Sequence, residues 1–76
     1  MEHRVVVGLE PGADWLQLKN KLLKAGADRT TEPVSYQPDA VVATLAGHRD
    51  VAKFISHVRT FGGVRYVEPD TMSGTF

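Results

Sequence analysis

Two stretches of helical period, each set between β-prone runs, constrain this chain more than any other feature. In the first, Trp15, Leu18, Leu22 and Ala25 recur at helical spacing, and Leu16 and Leu23 widen the stripe. Gln17, Lys19, Asn20, Lys21 and Lys24 are left for water. This helix is expected to start at Gly12 or Asp14 and to run to about Ala25, with Gly26 as the left-handed residue after its end. In the second, residues 48–60, the stripe is Val51, Phe54, Ile55, Val58 and Phe61, and Gly62-Gly63 ends it.

The runs around these helices read as strands. Residues 4–10 alternate, with Val5, Val7 and Leu9 on one face and Arg4, Val6, Gly8 and Glu10 on the other. Pro11-Gly12 is a turn signal. Residues 27–34 form a weaker strand, polar at Arg29, Thr30, Thr31 and Glu32, and Pro33 moves it towards a sheet edge. Ser35-Tyr36-Gln37-Pro38-Asp39 connects it to residues 40–45, a short apolar strand with a central place. The last strand begins at Val64, and Pro69 stops it for want of an N–H to give the ladder. The order β-α-β-β-α-β is the split, ferredoxin-like arrangement of the α+β class. Two helices cover one face of an antiparallel sheet, and the other face, carrying Arg4, Val6 and part of the third strand, is left open to a partner. Trp15, Phe54, Phe61 and Tyr66 are expected in the core.

With 76 residues there is one domain, which buries about 60% of the surface its unfolded chain exposes. Residues 1–70 are its body and residues 71–76 an extended tail. There is no cysteine, so disulfides, thiolate metal sites and thiol nucleophiles are excluded. Nine basic residues balance nine acidic ones without a run of either sign, which disfavours nucleic acid or an anionic membrane as partner. The first and third strands lack the aromatics an RNA-recognition domain stacks on bases. No stretch is long and apolar enough to span a bilayer, and Met1-Glu2-His3-Arg4 lacks an apolar signal core.

Enzyme chemistry finds no support. His3, His48 and His57 read as surface residues, and the latter two do not share a helix face. Ser35, Ser56 and Ser73 lack a glycine-framed nucleophile context, and neither Glu32 nor Asp50 has a carboxylate partner by spacing. No catalytic residue, metal ligand or cofactor is expected. The sequence Gly8 to Gly12 suits a small polar ligand less well than a turn. A polar tail ending in Phe76 is, on its residues alone, either a frayed end or a segment offered to a partner, and fraying is the common fate of termini.

The run Val64-Arg65-Tyr66-Val67-Glu68-Pro69-Asp70, the strand Val42-Ala43-Thr44-Leu45 leading into the second helix, the element order and the tail length together resemble the propeptides of subtilisins and the free-standing inhibitors related to them. The resemblance covers nearly the whole chain. It implies an inhibitor of a subtilisin-like serine protease, monomeric when free, whose open sheet face packs on two surface helices of the protease. It also implies that an excised propeptide would act as an intramolecular chaperone for protease folding. Glu68 and Asp70 match the acidic pair that meets the N-termini of those helices. Residues two apart in an extended chain point the same way, and unpaired N–H groups there favour a carboxylate. The tail Thr71, Met72, Ser73, Gly74, Thr75 and Phe76 matches the segment held product-like in the substrate cleft, with Phe76 in the first specificity pocket and Ser73 in the fourth. Inhibition as a tightly held product is then expected, with no bond beyond Phe76 to cut. The compartment follows the form, extracellular for an excised propeptide and intracellular for a free-standing inhibitor.

Three positions depart from the family pattern. Pro69 stands where an acid is common, Ser73 is small and polar where an apolar side chain is favoured, and the second helix opens at Gly47-His48 without an acidic or hydroxyl cap. The reading of another class is a ligand-sensing or assembly module that dimerises through its open sheet face. It predicts a stable dimer indifferent to removal of the tail.

Overall fold

The computed structural model describes residues 2–35 and 39–69. Strand β1 is Glu2–Leu9, helix α1 Trp15–Ala25, strand β2 Arg29–Thr30, strand β3 Ala40–Ala46, helix α2 Val51–Val58 and strand β4 Val64–Pro69. The strands form one antiparallel sheet in the order β2-β3-β1-β4. The fold is therefore the expected α+β, ferredoxin-like arrangement.

One face of the sheet carries the core. Val5, Val7 and Leu9 of β1, Val41, Ala43 and Leu45 of β3 and Val67 of β4 are buried beneath Leu18 and Leu22 of α1 and Phe54 and Val58 of α2. Trp15, Ala25, Val51, Ile55, Phe61 and Val64 pack around this cluster, each partly buried. The α1 stripe is narrower than its leucines suggest. Leu16 is 71% exposed and Leu23 is 38% exposed, so neither widens it. A two-layer domain buries only one side of each helix.

Both helices are capped by aspartate. Asp14 stands at the N-cap of α1, where Oδ1 accepts from the Gln17 N–H at 3.3 Å. Helix α2 starts not at Gly47-His48 but at Val51, and Asp50 caps it, accepting from the Lys53 N–H at 3.0 Å. The expected weak start is thus corrected. The helix begins three residues later, at a residue whose carboxylate satisfies an orphan N–H of the first turn. It also ends early, at Val58, where Thr60 Oγ1 donates to the His57 carbonyl at 2.6 Å and the last turn tightens. Asp50→Ala is expected to lower the unfolding free energy by about 0.5–2 kcal/mol. A urea titration followed by far-ultraviolet circular dichroism measures this, and Asp50→Asn should recover most of the loss.

Strand β2 is two residues where eight were expected. The reason lies in the side chains that flank it. Asp28 Oδ2 accepts from the Ala46 N–H at 2.6 Å, and Thr31 Oγ1 accepts from the Val42 N–H at 2.8 Å. These side chains take donors of β3 that a longer ladder would have paired with backbone carbonyls. Ion pairs Lys19–Glu32 (3.1 Å) and Arg49–Asp28 (3.5 Å) tie the same segment to α1 and to the turn before α2.

Strand β4 holds two further differences. Gly8 lies opposite Tyr66 and Leu9 opposite Val64, so Arg65 is an extra residue, a bulge. Pro69 is itself a residue of the strand. It is the last described residue of β4, opposite Val5. The Leu9 N–H donates to Asp39 O and the Glu10 N–H to Gly63 O, both at 2.7 Å. Alternation along β1 then turns Val5 and Val7 towards β3, and Val6 and Gly8 towards β4. Val5–Pro69 is therefore a pair without hydrogen bonds, and the ladder to β1 asks for no donor from Pro69.

Candidate functional site

The sheet face away from the helices carries every described residue that the sequence reading assigned to binding. Directly opposed residues share a face, so the registers place Val6 beside Val42 and Glu68, Gly8 beside Ala40 and Tyr66, and Arg4 beside Thr44 on this side. Arg29, opposite Thr44, joins them. Among the described residues no element covers this face.

Its relief comes from small residues. Tyr66 lies across Gly8: a Cβ at Gly8 would stand 2.1 Å from Tyr66 Cε2 and 2.3 Å from Cδ2. Only a residue without a side chain lets the ring approach the backbone of β1 so closely. Gly8 is buried as a result, while Tyr66 remains 41% exposed. Tyr66 is thus corrected from core to surface. Its regular pairing with Gly8, one residue from the buried Val67, is the cause, and the Arg65 bulge then lets Val64 return to the helix side. On the far side of the face, Val34 and Thr31 stand beside Val6, Ala40 and Val42 around a hollow of about 420 Å³. Val34 is 41% exposed. Sequence reading missed both Gly8 as a seat for Tyr66 and Val34 as a rim. The alternation of β1 gave the face of Gly8, but nothing local gave its partner.

Charge on this face is sparse. Arg29 Nη2 lies 3.2 Å from both carboxylate oxygens of Glu2. Glu68 is exposed at the β4 edge and has neither an ion pair nor a hydrogen bond to its carboxylate among the described residues. Its oxygens are free to accept from outside donors. Asp70, Thr71, Met72, Ser73, Gly74, Thr75 and Phe76 lie outside the described residues, so of the expected binding set the structure places Glu68 alone.

The histidines do not converge. His3 Nε2 lies 3.3 Å from the Gly47 carbonyl, His48 is exposed in the following turn, and His57 meets Phe61 edge-on at 5.1 Å. Ser56 is exposed on α2. No group of three His, Cys, Asp or Glu stands close enough to hold a metal ion among the described residues. No helix of the described residues is long and apolar enough to cross a membrane. Comparison with protein-family models, with curated proteins and with solved structures found no match.

Proposed function

We propose that this chain binds and inhibits a serine protease of the subtilisin class, with the open sheet face docked on the protease and residues 71–76 in its substrate cleft. The observation that carries the reading is the placement of Glu68. It sits on the uncovered face, at the edge strand that leads directly into residues 70–76, with its carboxylate unused by the described residues. A carboxylate so placed suits unpaired N–H groups at a helix N-terminus. Val6, Val42 and Tyr66 supply an apolar strip beside it for contact. Affinity in the cleft would come from main-chain pairing and specificity from alternate side chains, Phe76 foremost. Binding the native protease and not its unfolded chain would also favour protease folding by linkage, the chaperone role of a propeptide.

The test is inhibition of a broad-specificity subtilisin. The expected result is competitive inhibition by the 76-residue chain, weakened about two- to fivefold by Glu68→Gln, the range that 0.3–1 kcal/mol of helix-terminus interaction gives. A chain that is folded by circular dichroism, leaves the protease fully active and sediments as a dimer would overturn this reading in favour of assembly through the open face.

A further inference from the structure

We propose that Pro69 keeps the outer edge of β4 from pairing with a second copy of this chain. The inference concerns the edge of the sheet, not its face, and stands without the protease reading.

The outer edge of β4 is unpaired among the described residues. Such an edge is a template for another strand. Because Val6 and Gly8 hold the hydrogen bonds to Glu68 and Tyr66, the backbone groups of Val67 and Pro69 point outward. At Val67 these are an N–H and a carbonyl. At Pro69 only the carbonyl exists. The proline that costs the inner ladder nothing falls on the outer side, where its missing donor counts.

The consequence can be followed register by register. Two copies pairing antiparallel about Glu68 would set each Val67 opposite the other copy's Pro69. Each such pair would exchange two hydrogen bonds between ordinary residues and exchanges one here. The proline ring also fills the space a facing carbonyl would use. The same register sets Glu68 against Glu68, like charges directly opposed. Pairing about Val67 instead would keep both bonds of that single pair, then meet Pro69 on one side and the Arg65 bulge on the other. Neither register extends. The opposite edge of the sheet is β2, too short at two residues to offer a ladder.

Pro69→Val restores the donor and adds a β-branched side chain, and Pro69→Ala restores the donor alone. Sedimentation velocity over a wide concentration range is expected to show the parent chain monomeric and Pro69→Val self-associating about tenfold more tightly, as two restored main-chain hydrogen bonds imply. In the associated form the Val67 amide should gain protection from hydrogen exchange. Should Pro69→Val misfold by circular dichroism, Pro69→Ala decides. The proposal is overturned by a folded variant that stays as monomeric as the parent, by a parent that associates as tightly as the variants, or by association that leaves the Val67 amide unprotected.

Discussion

Phe54→Ala is expected to lower the unfolding free energy by about 3–5 kcal/mol. Phe54 is 3% exposed and lies on the buried side of α2, over a sheet whose nearest layer includes the fully buried Leu45. The ring also lies near Gly26, where a Cβ would stand 3.9 Å from Phe54 Cδ1, so the cap of α1 loses a neighbour with it. A chain of this length holds about 4–11 kcal/mol in total, so the substitution removes a large share and brings the domain close to unfolding. Urea denaturation followed by circular dichroism measures the change. Leu16→Ala is the control. Its side chain is 71% exposed, and the expected change stays within about 0.5 kcal/mol. A small effect at Phe54, or a large one at Leu16, would mean that the helices present other faces to the sheet.

Removal of residues 71–76 is expected to weaken inhibition of a subtilisin at least about 100-fold under the proposed function. Burial of a phenylalanine contributes about 1.5–3 kcal/mol, and each net main-chain hydrogen bond about 0.5–1.5 kcal/mol. One filled pocket and two such bonds already reach about 3 kcal/mol, which is about 100-fold in the inhibition constant. Titrating the protease with the whole chain and with a version ending at Asp70 measures the ratio. Equal inhibition by both would shift the binding energy to the open face and Glu68. Circular dichroism should be unchanged by the truncation, since the described core ends at Val67.

The element order was legible because two periods alternate cleanly. Val5, Val7 and Leu9 keep a period of two, and Leu18 with Leu22, like Phe54 with Val58, keep a helical one. The open face followed from the same alternation at Arg4, Val6 and Gly8. What escaped was set by single side chains acting across the sheet. Asp28 and Thr31 shorten β2 by bonding to N–H groups of β3, a choice that depends on the register and not on local composition. The Arg65 bulge breaks the period in β4, so that Val64 and Val67 both face the helices while Tyr66, paired with Gly8, does not. Asp50 reads as a lone carboxylate until the helix start is known, when it becomes the cap. Of the candidate site, Glu68 alone lies among the described residues, exposed on the open face. Its outward direction agrees with the two-residue alternation that joins it to Tyr66.

The place of β1 in the sheet bears on when the domain can form during synthesis. This strand leaves the ribosome before the other three, yet Val5 finds its neighbours in Ala43 and Pro69. Until Val64 to Pro69 have emerged, the N–H groups of Val6 and Gly8 have no strand to receive them. Closing such distant contacts is slow in chain entropy and leaves an unpaired hydrophobic strand exposed meanwhile. A nascent chain halted before β4 should therefore be a substrate for holding chaperones, and a completed one should fold in a single late step.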